Sequence, residues 1–217
     1  MTEFIKAELD KKKKLNRLIR IAVVSTVSLV GLVLAVISLF KGDFLYAFAY
    51  LIAGALGVLY ATISINATFV QSVVMNGDKL ILNTWNNGFF PFDVFYKPRF
   101  FADFVPAKSA SYEIAVNEIK ELCIGSKGFL LKTADKDAVA EQLGKIIACD
   151  KGLDKHLKRY DILYVKTLDG KVYMMEVNNF DSDSLYVIMD NIERNVQGME
   201  VKTNVRLLRK RKDSAKM

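Results

Sequence analysis

Two blocks without a single charge dominate the hydropathy pattern of this chain. Ile21 to Phe40 reads IAVVSTVSLVGLVLAVISLF and Phe44 to Ile65 reads FLYAFAYLIAGALGVLYATISI, with only Lys41-Gly42-Asp43 between them. At about 1.5 Å per residue each block covers roughly 30 Å, the thickness of a bilayer's hydrocarbon core. The pattern predicts a two-helix transmembrane hairpin over residues 21–65, with spans 21–40 and 44–65. A cleaved signal has an apolar region of only about 7–15 residues. The first block is longer and follows a mixed-charge leader, MTEFIKAELDKKKKLNRLIR, so an uncleaved anchor is expected. Lipid supplies no hydrophobic drive for helix pairing, and small residues let helices approach closely. Ala49, Ala53, Gly57 and Ala61 recur every four positions, and the first block offers Ser28, Gly31, Ala35 and Ser38. Gly31, Ala35, Ala49, Ala53, Gly57 and Ala61 are therefore the expected helix-packing residues.

Beyond Ile65 the apolar period shortens to two. QSVVMNGDKLILNT predicts strand, Asn-Gly turn, strand, and DILYVKTLDGKVYMMEV predicts a second hairpin about Asp169-Gly170. SYEIAVNEIKELCI and GFLLKT predict further strands, broken around Gly125-Ser126-Lys127-Gly128. A helical insertion near 134–160 is predicted from Val139, Leu143, Ile146 and Ile147 on one face, with a short second helix carrying Leu153 and Leu157. The last helix has Asp181 as N-cap, Phe180 as a staple onto Leu185, and an apolar face of Leu185, Ile188, Met189, Ile192 and Val196. Gly198 stands where a C-terminal cap belongs. MEVKTNVRLL predicts one more short strand. The fold class expected is a membrane α-helical hairpin followed by one α+β domain of about 150 residues, rich in antiparallel strands.

Charge gives this arrangement a direction. Residues 1–20 carry seven Lys/Arg (Lys6, Lys11, Lys12, Lys13, Lys14, Arg17, Arg20) against three acidic residues, and the loop between the spans carries only Lys41. The positive-inside tendency puts the N-terminus in the cytoplasm, and two crossings return residues 66–217 to the same side. On that reducing side Cys123 and Cys149 are expected as free thiols. From Arg206 onward six basic residues face one acidic residue, so the chain's net +7 leaves −2 for residues 66–205. A nucleic-acid-binding domain would carry positive charge on its own surface, so no nucleic-acid partner is expected. Charge concentrated beside a membrane span suits anionic headgroups, at about 1 kcal/mol per Lys or Arg near the surface. The lipid-headgroup candidates are Lys11, Lys12, Lys13, Lys14, Arg17 and Arg20, with Arg209, Lys210, Arg211 and Lys212 in the tail. The chain divides into a basic cytoplasmic arm (1–20), the hairpin (21–65), the cytoplasmic domain (66–205) and a basic tail (206–217).

Catalytic chemistry is scarce. His156 is the only histidine and lies in the polar stretch KGLDKHLKRY, where a solvated side chain is expected. The two cysteines are twenty-six residues apart, without a C-x-x-C or a nearby histidine, so no zinc site is predicted. Phosphate-binding and nucleophile motifs are lacking. Asp181 and Asp183 open a helix and complement its dipole, and Glu118 and Glu121 belong to a solvated strand face or turn. The expectation is a non-enzymatic protein without catalytic residues, metal or cofactor.

Strands in hairpin order closed by one amphipathic helix resemble the bacterial pleckstrin-homology-like (PH-like) domains. The likeness is carried by VVMNGDKLIL, EIAVNEIKELCIGSKGFLLKT and LYVKTLDGKVYMMEVNNFDSDSLYVIMDNIERNV. It covers roughly the 150 residues beyond the hairpin. It implies an antiparallel β-sandwich or barrel whose last helix plugs an open corner, in a multi-pass protein of the bacterial inner membrane. Headgroup reading by the first hairpin is not implied, because VVMNGDKLILNT holds Lys79 alone. The implied role is a binding or scaffold module at the cytoplasmic face of the membrane, whose partners are the bilayer and another membrane protein or a second copy. Two membrane helices followed by a small β-barrel also resemble bacterial immune effectors whose barrel senses a cyclic nucleotide, which stands as the alternative.

One stretch fits neither pattern simply. Nine aromatic residues fall between Trp85 and Phe104, and all three prolines of the chain lie among or just after them. Trp85, Phe89, Phe90, Phe92, Phe95, Tyr96, Phe100 and Phe101, with Lys97 and Arg99, are candidates for a membrane-interface or partner-binding surface. Core packing of an irregular loop, a membrane-facing loop and a ligand groove are all compatible with this composition.

Overall fold

The computed structural model describes residues 4–69, 71–85, 109–149, 160–178, 180–206 and 208. The chain forms two compact units. Residues 11–69 make one, and residues 1–10 together with residues from 70 onward make the other.

The helical unit is a pair of long helices, α1 (Lys11–Phe40) and α2 (Phe44–Phe69). A tight turn joins them. Gly42 takes φ +79°, a left-handed conformation that a side chain would strain. Gly42 N donates to Leu39 O at 3.1 Å and Asp43 N to Ser38 O at 2.9 Å, the bond pair of a Schellman cap. The hydroxyls of Ser28, Thr26 and Thr62 each donate to the carbonyl four residues earlier, at 2.6, 2.9 and 3.0 Å. Their polarity is thereby satisfied inside the helix, as a lipid environment requires.

Among the described residues, Ile21, Ser28 and Ala35 of α1 and Ala47, Gly54 and Ala61 of α2 are buried. Both sets repeat every seven residues, which suits the shallow left-handed crossing of membrane and soluble bundles. The expected row of fours is corrected accordingly. Ala49 and Ala53 are exposed, Gly57 is half-buried and Ala61 is buried. A step of four residues advances about 400°, so such a row drifts about 40° per step and leaves the interface after two or three steps. Gly31 and Ala35 are in the contact as expected. A Cβ on Gly31 would lie 3.6 Å from Tyr50 O, and one on Gly57 would overlap the Ser28 hydroxyl. A Cβ on Gly54 would come within 2.8 Å of the Leu32 side chain, so Gly54 belongs with them.

The second unit holds two four-stranded sheets. The first has the order β1-β2-β3-β4, formed by Phe4–Ala7, Ser72–Asn76, Lys79–Trp85 and Ser109–Ala115, with every neighbour antiparallel. The second has the order β7-β6-β5-β8, formed by Val172–Glu176, Ile162–Thr167, Ile119–Gly125 and Lys202–Thr203. The strands make two sheets and not a closed barrel. Both predicted hairpins are present. β2 and β3 turn at Gly77-Asp78, where Gly77 has φ +62°, and β6 and β7 turn through Gly170 at φ +85°.

The N-terminal segment departs from expectation. Residues 4–7, assigned to a basic arm, are an edge strand whose register is Phe4↔Asn76 to Ala7↔Val73. Alternation explains it: Ile5 is half-buried while Ala7 and Leu9 are buried, a period-two stripe inside a charged sequence. Leu9 then bridges Phe180, and Asp181 N donates to Glu8 O at 2.8 Å. Residues 11–20 are the first turns of α1, so the helix begins ten residues before its apolar run.

Two other elements differ. GFLLKT, expected as a strand, lies in the short helix α3 (Lys127–Thr133). Phe129 N and Leu130 N both donate to Ser126 O at 3.0 Å, which turns the chain immediately after β5. The strand after Gly198 is only two residues long and runs parallel to β5. Helix α4 (Lys136–Cys149) matches the predicted insertion, while residues 150–159 lie outside the described residues. Helix α5 (Ser182–Asn195) is capped as predicted, with the Asp181 carboxylate accepting from Ser184 N at 2.9 Å. Its buried face is Leu185, Ile188, Met189 and Ile192, each worth about 1.5–3 kcal/mol on burial. The sheets share one core, against which the tilted rings of Tyr112 of β4 and Tyr173 of β7 meet with centroids 5.7 Å apart. Gln71 Nε2, buried just before β2, donates to Glu176 O of β7 at 2.8 Å and links the first sheet to the second.

Two outcomes are expected. Joining Asp10 to Gln71 through a hairpin-length loop of about four residues should yield a soluble domain that unfolds cooperatively. Removing residues 4–9 from it should cost about 2–4 kcal/mol, because the burial of Ala7 and Leu9 and the β1 ladder are lost together. Urea unfolding of the two variants measures this. In the full chain, Gly57→Leu should weaken the helix pair by about 1–2 kcal/mol, while Ala53→Leu on the exposed face leaves it unchanged in a detergent melt.

Candidate functional site

The clearest concentration of charged side chains is the start of α1. Lys11, Lys12, Lys13, Lys14, Arg17 and Arg20 all fall in its first ten residues, and the first turn has no acidic residue. Helices favour anions at this end, because the unpaired N–H groups carry the positive pole of the dipole. Four successive lysines there oppose the dipole. Lys11, Lys12, Lys13 and Arg20 are exposed, while Lys14 and Arg17 are half-buried. Lys14 Nζ lies 5.1 Å from the ring centroid of Phe69, a cation–π contact between the beginning of α1 and the end of α2.

The apolar surface beyond these cations is large. Val23, Val27, Leu29, Val30 and Val33 of α1 and Leu45, Phe48, Leu51 and Leu56 of α2 are exposed. Phe40 at the turn is 89% exposed and Phe44 beside it 71%. Both helices are long and apolar enough to cross a membrane.

The remaining expectations separate by location. Trp85 ends β3, and the rest of the aromatic candidates, Phe89, Phe90, Phe92, Phe95, Tyr96, Phe100 and Phe101, lie outside the described residues with Lys97 and Arg99. Arg209, Lys210, Arg211, Lys212 and His156 also lie outside them. Cys123 is a buried free thiol, pushed up to about 12 by burial first and by the charge of Glu121 second. Such a thiol is protonated and unreactive at neutral pH.

A polar cluster between β5, β6 and α4 was not foreseen. Asp135 sits at the junction of α3 and α4, and its Oδ1 accepts from the backbone N–H of Asp137 and of Ala138, both at 3.2 Å. Its Oδ2 is paired with Lys166 Nζ of β6, and its own N–H donates to Glu121 Oε2 of β5 at 3.3 Å. The Lys166 ammonium, foremost, holds the Asp135 carboxyl below the usual range. An Asp just before a helix is a legible cap signal, but its partners on two strands are not. A second carboxylate closes the β6–β7 turn: Asp169 receives bonds from Lys171 and from the Thr167 hydroxyl, and the former chiefly draws it down to about 2. These carboxylates do structural work. No cluster of three or more His, Cys, Asp or Glu suited to a metal occurs among the described residues.

Comparison with protein-family models, curated proteins and solved structures finds no match.

The depressed carboxyls set an acid dependence. A folded-state pKa below the unfolded value near 3.9 contributes stability above that value, and this is lost as pH falls through the folded pKa. Stability should therefore decline from about pH 4 toward pH 2. Asp169→Asn and Asp135→Asn should each flatten that decline in urea midpoints measured across the range. Unchanged slopes would exclude both groups as its source.

Proposed function

We propose that this protein is a membrane-anchored, non-enzymatic binding module that presents a PH-like domain at the cytoplasmic face of a bilayer. The observation that carries this reading is the position of the helical pair. The chain leaves the first sheet after β1, runs through α1 and α2, and re-enters the same sheet at β2, the hydrogen-bonded neighbour of β1. Any membrane arrangement of the two helices must return the chain to the side it left. This connection supports a two-span hairpin, which returns the chain to one intact sheet domain.

The cations of α1 support the cytoplasmic orientation, since they precede the first apolar run while the opposite turn has Lys41 alone. They also suit contact with anionic headgroups. The PH-like assignment is supported by element order: four successive antiparallel strands in one sheet, β5, β6 and β7 in the other, and the amphipathic α5 packed near β1 and β2. A scaffold role is supported by the structural use of Asp135, Asp169 and Asp181 and by the unreactive Cys123. The partner proposed is another membrane protein or a second copy.

Cysteine accessibility in intact cells tests the topology. A membrane-impermeant reagent should label Lys41→Cys at the turn, but not Thr2→Cys or Lys216→Cys. Labelling of either terminal position from outside would reverse the orientation, and protection of all three would remove the crossing.

A further inference from the structure

The second sheet is buried on both faces. Leu122, Ile124, Leu163, Val165 and Met175 line the core shared with the first sheet, the side on which Tyr173 meets Tyr112. Strand register puts Glu121, Cys123, Ile162, Tyr164, Lys166 and Met174 on the opposite face, since Cys123 pairs with Tyr164, Tyr164 with Met174 and Glu121 with Lys166. Asp135, at the α3–α4 junction, is bonded to Glu121 and Lys166 of that same face. The α3–α4 junction thus lies against this face, and Leu130, Val139 and Leu143 of the two helices are buried.

Beneath this cover one bond is missing. Tyr164 is fully buried, and its hydroxyl is the one buried side-chain polar atom among the described residues without a hydrogen-bond partner. An unmade bond of this kind costs energy in the covered state and is recovered when water reaches the group. The cover is held by the burial of Leu130, Val139 and Leu143, by the Ser126–Asn204 hydrogen bonds and by the polar clip at Asp135, and the unsatisfied hydroxyl works against it. Neither sheet needs to break for it to move, because α3 and α4 contribute no strand to the ladders.

We propose that α3–α4 is a lifting cover, which opens from the outer face of the second sheet while both sheets remain folded. Opening exposes Tyr164, Cys123, Ile162 and Met174, an apolar patch rimmed by Lys166 and Glu121. This surface is hidden in the covered state and presented by opening, a regulatory device independent of the membrane reading above.

Cys123 reports the motion, because its thiol is buried opposite Tyr164. The full chain carrying Cys149→Ser is held in lipid nanodiscs and labelled with a maleimide across low urea concentrations. The cover predicts labelling at least tenfold faster than global unfolding, with a shallow urea dependence, because a local opening exposes little surface. Tyr164→Phe removes the unsatisfied hydroxyl and should slow labelling roughly fivefold or more, while Asp135→Asn unfastens the clip and should speed it. In the unsubstituted chain, amides of residues 127–149 should exchange with deuterium together and ahead of those in β5 and β6. Labelling with the full urea dependence of global unfolding, a Tyr164→Phe rate that is unchanged or faster, or equal protection of the helices and strands would each overturn the proposal.

Discussion

The pairing of β1 with β2 is the constraint on which the remaining structure depends. It joins residues on either side of a helical segment of about 60 residues, with Ala7 opposite Val73. A flexible loop of that length would add a closure cost that the short β1 ladder could scarcely offset. Two antiparallel helices of 30 and 26 residues remove much of that cost, because similar lengths bring their open ends back together. Within the helical pair, Ser28, Ala35, Gly54 and Ala61 are the small residues that make the close contact.

This insertion changes the meaning of the basic segment. A free polybasic arm can reach any anionic surface within its contour length, whereas cations on a helix hold a fixed spacing. From Lys11 to Arg20 the charges advance about 1.5 Å per residue along the axis that continues into the apolar run. Residues on the other side of this segment are equally confined. Glu8 and Leu9 are tied to Asp181 and Phe180 at the head of α5, so the closing helix is fastened to the chain two residues before α1 begins.

Elements with strong local signals were legible in the sequence. The two apolar blocks, the Gly77 and Gly170 hairpins and the Asp181-capped α5 declare themselves by period, turn residue or cap, and the structure has them in those places. What escaped depends on distant partners. The four residues of β1 alternate weakly among charges, and their stability comes from a strand about seventy positions away. The helix contact follows a seven-residue period that the more conspicuous row of fours at Ala49 and Ala53 obscured. GFLLKT was too short to distinguish helix from strand, and its conformation is decided by Ser126, whose carbonyl starts α3. Of the candidate site residues, Gly31, Ala35, Gly57 and Ala61 fall at or beside the helix contact, while the cations expected in an arm stand on the first turns of α1. The Asp135–Lys166–Glu121 arrangement required knowledge of strand register.

The same register explains why β5 and β6 read as almost unbroken apolar runs. Leu122-Cys123-Ile124 and Ile162 to Val165 are buried at every position, which an antiparallel strand with one solvated face would not be. Continuous burial in such a strand implies a second cover, and Asp135 in the segment connecting β5 to β6 is bonded to that face. The insertion from Lys127 onward is therefore not an ornament on a two-sheet domain; it is what makes the composition of β5 and β6 tolerable. Tyr164 marks the limit of that fit. Strand register sets it between Cys123 and Met174, and its buried hydroxyl has no hydrogen-bond partner. A phenylalanine would satisfy the packing as well and would leave nothing unpaired, so the hydroxyl weakens the cover.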